Sequence, residues 1–271
     1  MKRYIIYFLF FSLISASFST LANHEDLSDK PLVSTYKPIY ILPFYYTETP
    51  SPIYIGTTPD NQKIQNTEFK FQLSFRAPIA KALFRKKNTI YLAYTQDSFW
   101  QAYNNSPFFR ENDYEPQIFM ENKIKWHLLP KFPITRLDFG AIHQSNGRGG
   151  IFERSWNRLY GEVLFKRGHF SVAVKGWYIF HDPAYEMHNP DIQHYMGYGN
   201  LLLSYYYKQQ IISLESYNNA ESGFKRGSFI VNYSFPLVHK IKGFLQFFSG
   251  YGQSLIEYNH RTNAFGIGIA I

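Results

Sequence analysis

The sequence predicts an all-β fold, a transmembrane antiparallel β-barrel of about 12 strands. Three observations carry that reading. An export leader opens the chain, and no later segment has the ~18 consecutive apolar residues of a membrane-crossing helix. The remainder breaks into strand-length segments whose connections alternate between short and long.

The leader comes first. Lys2 and Arg3 form a short basic region, Tyr4 to Ile14 is almost unbroken apolar sequence, and small and polar residues follow to Thr20-Leu21-Ala22. This three-part layout is that of a secretory signal peptide, so residues 1–22 are expected to be removed after Ala22. A retained anchor is the alternative, but the apolar core is short for a span. Residues 23–37 are polar, contain Pro31 and are expected to form a periplasmic extension. Residues 38–271 are left for the barrel.

Composition agrees in an indirect way. Mean hydropathy is −0.30, which on its own would suggest a soluble chain. However, Tyr (23), Phe (26) and Trp (4) make up 20% of the sequence. Tyr and Trp suit membrane–water boundaries, and a barrel escapes hydropathy scans because only alternate residues meet lipid. The net charge of +8 suits anionic headgroups. The basic residues are scattered and the chain is exported, so no nucleic acid is expected as a partner. With no Cys, disulfides and thiol chemistry are excluded.

The expected strands are Tyr40–Tyr46, Thr67–Ala77, Thr89–Gln96, Glu115–Trp126, Ile134–Ser145 and Ser155–Lys166 in the first half. His169–Phe180, Gly197–Lys208, Gln210–Tyr217, Arg226–Pro236, Lys242–Tyr251 and Asn263–Ile271 complete the set. Links after even strands are mostly short, such as Arg167-Gly168 and Gln209. Those after odd strands are mostly longer: Thr47–Asn66, Asp97–Tyr114, Asn146–Arg154, His181–Met196 and Gly252–Thr262. Short periplasmic turns and long external loops produce that sorting in an outer-membrane barrel, whereas a soluble sandwich has no reason for it.

The chemistry is expected between Leu137 and Tyr160. Side chains alternate with period two, so Leu137, Phe139 and Ala141 should face lipid while Arg136, Asp138 and Gln144 face the lumen. His143 and Ser145 continue the lipid-facing parity near the rim. On the next strand Leu159, Val163 and Phe165 have lipid parity, and Asn157 belongs with them. A hairpin centred near Gly150 pairs His143 with Asn157 and Ser145 with Ser155, with opposed Cβ atoms ~4.5–5.5 Å apart. A nucleophilic hydroxyl, an imidazole base and an amide to hold the ring then share one outward patch. A His and a Ser two residues apart also occur by chance in strands, and polar groups near the rim can simply be solvated. Register on a membrane face favours function, because polar side chains aimed at lipid are costly.

The run His143-Gln144-Ser145-Asn146-Gly147-Arg148, followed by Arg154-Ser155-Trp156-Asn157-Arg158-Leu159-Tyr160, resembles the outer membrane phospholipase A family. Further matching blocks are Tyr94-Thr95-Gln96 with Phe99-Trp100-Gln101, and Ser106-Pro107 with Phe109-Arg110-Glu111 and Tyr114-Glu115-Pro116-Gln117. Asn189-Pro190-Asp191-Ile192 with Tyr195-Met196-Gly197-Tyr198, and Ser249-Gly250-Tyr251-Gly252 with Ser254-Leu255-Ile256, extend the likeness over most of the mature chain. The resemblance implies a twelve-stranded outer-membrane barrel with its active site at the external side. It also implies a calcium-dependent homodimer that hydrolyses acyl esters of glycerophospholipids and lysophospholipids.

By position, the resemblance makes Ser145 the nucleophile, His143 the base and Asn157 the residue that orients it. The backbone N–H of Gly147, with calcium-bound water, would stabilise the oxyanion. The implied Ca2+ ligands are the Arg148 carbonyl, Glu153 where the family has a hydroxyl, and Ser106 of the partner subunit, with Asn105 competing for that role. Glu153 could equally be a solvated loop charge. Gly150 and His188 stand where the family often has acidic residues, which argues against a second calcium site. Gln96 resembles the family's polar residue at the dimer interface.

Two features lie outside the resemblance. His181, His188 and His194 share a loop with Asp182, Glu186 and Asp191, but their spacing fits no zinc pattern and a solvated loop is expected. Gly147, Gly149 and Gly150 lack the strand–loop–helix context of a phosphate cradle, and a tight hairpin is the simpler reading. The rival functions are a non-enzymatic porin or adhesin and a barrel acyltransferase or lipopolysaccharide deacylase. Opposite lumen charges at Arg136, Asp138, Arg158 and Glu162 speak against an open pore.

Overall fold

Apolar side chains outside and paired polar ones inside explain why these strands close on themselves. The structure, a computed structural model, describes residues 32–82, 88–129, 132–180 and 187–271. The expected leader lies outside the described residues. Strand β1 (Ser34–Thr35) is followed by β2 (Tyr40–Thr47), β3 (Thr67–Lys81), β4 (Asn88–Gln101), β5 (Phe108–Leu129), β6 (Phe132–Ser145) and β7 (Ser155–Arg167). Next come β8 (Phe170–Phe180), β9 (Gly199–Tyr207), β10 (Gln210–Tyr217), β11 (Ser228–Val238), β12 (Ile241–Tyr251) and β13 (Arg261–Ala270). Strands β2 to β13 pair antiparallel in chain order and β13 pairs with β2, giving the closed 12-strand barrel expected.

Within 23–37, Ser34 and Thr35 pair with Arg76 and Phe75 of β3 as one extra strand. One expectation needs correction. The Asp97–Tyr114 segment, read as a long loop, is mostly strand: β4 runs on to Gln101 and β5 starts at Phe108, leaving 102–107 as the link. Its inward-facing polar residues resemble loop sequence because they line the interior. Gln101, Arg110, Glu111 and Asp113 are all buried. The other links keep the expected sorting. Long ones such as 48–66 and 218–227 share an end, and short ones such as 168–169 and 208–209 lie opposite.

The outer surface is a band of cross-strand apolar pairs, among them Phe75 with Tyr94 and Leu92 with Ile118. All four are exposed in the single chain. The interior is filled. Midway, Arg136 contacts Asp138 (2.9 Å) and Glu162 (2.6 Å), and Lys175 reaches the other Glu162 oxygen at 3.1 Å. At the long-link end, Arg110 donates to Glu68 (2.8 Å), Glu257 (2.7 Å), Tyr54 (3.0 Å) and Gln253 (3.0 Å). Its guanidinium also lies 4.5 Å over the Phe99 ring. A charge this deep is tolerable only because every face has a partner.

Arg110→Ala leaves Glu68 and Glu257 buried without their cation, so the barrel should lose about 3–5 kcal/mol of stability. Urea unfolding in detergent micelles measures this, and an unshifted midpoint contradicts the assignment of Arg110 as the keystone of that end.

Candidate active site

The hairpin of β6 and β7 assembles the site through its register. His143 pairs with Asn157 and Ser145 with Ser155, on the face shared with exposed Phe139 and Leu159. The intervening residues Ile142, Trp156 and Arg158 are buried. His143 Nδ1 lies 2.8 Å from Asn157 Oδ1. An amide oxygen only accepts, so Nδ1 carries the proton, and in the neutral ring Nε2 keeps its lone pair. The structure thus brings the three residues to one outward face. Ser145 Oγ, however, forms no hydrogen bond to His143 or to any other described residue. Nucleophile–base contacts of this kind often close only when substrate is present.

Beneath the patch the lumen side is rigid. The Gln144 oxygen accepts from Trp156 Nε1 (2.8 Å) and from Arg158 (3.0 Å), and Arg158 pairs with Glu115 at 3.1 Å. Its guanidinium also lies 3.9 Å from the Trp156 ring centre. On the outer side Asn157 is flanked by β8, where Phe180 is its cross-strand neighbour and Tyr178 packs edge-on against Phe180. Tyr114 of β5 stands opposite Ser145.

The link 146–154 is not a tight hairpin. It makes a short 3-10 turn at Gly150–Phe152 and returns through Asn146 N–H donating to Arg154 O (3.1 Å). Gly147 has φ +65°, and a Cβ there would meet the Tyr114 ring at 2.9 Å, so only glycine fits. Arg148 Nε donates to Glu111 (2.8 Å), and the Arg148 carbonyl accepts no hydrogen bond among the described residues. Glu153 is partly exposed, with its carboxylate 3.6 Å from His188 Nε2. Tyr258, beside this link, donates to Asp191 at 2.5 Å. Burial, and then the Asp191 carboxylate, push its phenol above the usual range.

Ser106 sits in the separate link 102–107. There its N–H and carbonyl are bonded to the Gln62 amide, both at 3.1 Å, and Asn105 beside it is exposed. No hydrogen bond joins Ser106 to Arg148 or Glu153 among the described residues of the chain. His181, Asp182 and Glu186 of the histidine-bearing loop lie outside the described residues. Among the described residues, no three acidic, His or Cys side chains form a metal-sized group.

Tyr114, Glu111 and Asn146 stand in the matching blocks, but their spacing does not reveal them as neighbours of the site. Parity would have flagged Asn146, which follows Gln144 on the inward side. Nothing local connects it to Glu111, 35 positions away.

The phospholipase A1 family model matches residues 19–271. A relative from Neisseria meningitidis serogroup B is 37% identical over 260 residues, covering 91% of this chain and 67% of its own. The phospholipase A1 of Escherichia coli K12 is 33% identical over 259 residues, covering 93% and 86%. Among solved structures, the Salmonella typhi outer membrane phospholipase dimer with bound calcium superposes with a TM-score of 0.83 at 31% identity, covering 91% of this chain and 94% of that one.

Replacing Asn157 with Ala should release the ring and lower the share of the Nδ1–H tautomer. Nitrogen NMR of labelled His143 reads this directly, and an unchanged tautomer ratio would mean that Asn157 does not hold the ring.

Proposed function

This chain belongs to the phospholipase A1 family, and we propose that it hydrolyses acyl esters of glycerophospholipids and lysophospholipids through Ser145, His143 and Asn157 as a calcium-dependent dimer. It is an outer-membrane carboxylic ester hydrolase with a β-barrel fold. The observation that carries the mechanism is the 2.8 Å contact of His143 Nδ1 with Asn157 Oδ1 on the outward face. It leaves Nε2 as the only basic atom of the ring, two residues from a hydroxyl on the same face.

Ser145 Oγ attacks the acyl carbonyl carbon as its proton passes to His143 Nε2. The tetrahedral oxyanion would form near the Gly147 N–H, two residues after the nucleophile in a left-handed turn. The intermediate collapses with departure of the glycerol oxygen, which takes the proton from His143. Water then attacks the acyl-enzyme by the same proton route and releases fatty acid. Asn157 holds the ring and never ionises. The substrate approaches sideways from the membrane, over exposed Leu159, Tyr178 and Phe180, and does not enter the filled lumen. The long links are taken as the external end.

The donor set suits a hard cation. The Arg148 carbonyl has no hydrogen bond among the described residues, and the Glu153 carboxylate has only the long His188 contact there. Those two residues would hold calcium in one chain, with Ser106 of the second copy completing the shell. When bound, the ion supplies positive charge at the oxyanion position. Gln96 has outward parity; it accepts from Tyr94 Oη (2.8 Å) and donates to Ser98 Oγ (2.9 Å). An intersubunit hydrogen bond through its remaining amide positions would contribute ~0.6–2 kcal/mol. The leader at 1–22 and the barrel as the remaining functional unit stand as part of this proposal.

Fatty-acid release from mixed micelles tests the assignment. Ser145→Ala should abolish turnover in a folded, heat-modifiable barrel. His143→Ala should be far more damaging than Asn157→Ala, since the amide only orients. Turnover near wild type without Ser145, or equal losses at 143 and 157, contradicts these roles.

Calcium dependence gives a separate check. Glu153→Ala should shift the calcium midpoint of turnover upward while excess calcium largely restores the rate, because ligand charge and number set affinity. An unshifted midpoint assigns Glu153 to the solvated loop surface.

A further inference from the structure

One buried amide holds the link between β6 and β7 from inside. Asn146 is 4% exposed, and all four bonding positions of its side chain are filled. Nδ2 donates to Glu111 Oε1 and to the Phe152 carbonyl, both at 2.8 Å. Oδ1 accepts from the backbone N–H of Arg148 (3.3 Å) and of Arg154 (3.0 Å). The first of these closes an Asx turn around Gly147, and the second ties the start of the link to its end. Glu111 is fully buried, and its other oxygen accepts from Arg148 Nε at 2.8 Å. The Arg148 guanidinium also donates to the Arg110 carbonyl.

From this arrangement we infer that Asn146 and Glu111 are positioning residues: they preset Gly147 and Arg148 within a single chain, before calcium or a second copy is present. The inference rests on the proposed roles of Ser145, Gly147 and Arg148. Neither residue touches substrate. The Asx turn fixes the Gly147–Arg148 peptide, and Asn146 itself bridges the nucleophile to the oxyanion N–H. Glu111 sets where the Arg148 main chain lies by holding its side chain. A donor fixed in advance stabilises developing charge without reorganising during the reaction. A carbonyl fixed in advance spares a cation the entropy of gathering its ligands.

The donor and acceptor pattern makes the idea separable from mere stability. Asn146→Asp places an acceptor against Glu111 Oε1 and removes both donated bonds. Adding Glu111→Gln reverses the polarity of that contact: the new amide nitrogen at position 111 donates to the carboxylate introduced at position 146, and the amide oxygen still accepts from Arg148. Glu111→Gln alone leaves two donors facing each other on one side.

Full-length refolded protein is assayed for fatty-acid release and, by titration calorimetry, for calcium binding, which gives the calcium midpoint, with heat-modifiability confirming the fold. Asn146→Asp should lower turnover about 100-fold and raise the calcium midpoint, with KM for lipid little changed. The Asn146→Asp/Glu111→Gln double variant should recover at least about tenfold of that loss, since the restored contact realigns the same atoms. A folded Asn146→Asp protein with wild-type turnover and calcium midpoint overturns the inference, as does a double variant no better than the single one. If Asn146→Asp does not fold, Glu111→Gln alone decides: a raised calcium midpoint supports the inference and an unchanged one overturns it. Ser145→Ala runs alongside. Turnover that survives it defeats the underlying mechanism, whereas its loss beside an unaffected Asn146→Asp defeats only the positioning role.

Discussion

A single extra residue in β5 organises the end of the barrel where the proposed site lies. Phe99 of β4 pairs with Glu111 and Trp100 with Phe109, so Arg110 is bulged out of the ladder. A bulge breaks the alternation of sides and lets two consecutive residues turn inward. Arg110 enters the lumen and gathers Glu68, Glu257, Tyr54 and Gln253. Glu111 turns toward the neighbouring hairpin and grips Asn146 and Arg148. Without the bulge, parity would send one of the two toward the membrane. The lumen plug and the loop beside Ser145 thus share one backbone irregularity and are mechanically linked through it.

The filled lumen also explains where a reactive group can sit. Many charged side chains in the interior are matched within about one hydrogen-bond length, as in the Arg136–Glu162–Lys175 series. Such a core leaves no path for a two-chain lipid. The outer face is already bathed in substrate, so a site there needs no channel, only a polar patch at a depth where polarity is tolerable. His143, Ser145 and Asn157 lie at the end of their strands, close to water on one side and to Leu159, Tyr178 and Phe180 on the other. The cost of exposing polar groups to lipid is smallest there.

How much of this is legible from sequence depends on the range of the interaction. The His143–Asn157 pairing needs only period-two alternation and the centre of one hairpin, both local, and the structure has that register. The stretch from Asp97 to Tyr114 misleads because interior charge in a barrel strand has the composition of a loop; only the partners, such as Glu68 for Arg110, distinguish them. Those partners lie on other strands and carry no local mark. The same holds for Asn146 and Glu111. Short motifs name the residues around the reacting atoms, and the contacts that orient them are tertiary.

The neutral third member of the site follows from its surroundings. A carboxylate at position 157 would hold the imidazole more strongly and stabilise it once protonated, as in soluble triads. On a lipid-facing surface it would also be an ionised group with little water, and its charge would be costly in every resting molecule. Asn157 fixes the same tautomer with no charge to desolvate. In the proposed mechanism the imidazolium that forms as Ser145 attacks is then less stabilised than beside a carboxylate, and the deficit must be met where negative charge develops. That would place the burden on the oxyanion side, on Gly147 and the proposed oxygen ligands of the 146–154 link. In the proposed mechanism a neutral orienting residue, a loop braced by hydrogen bonds and a need for a cation are three consequences of working at the membrane surface.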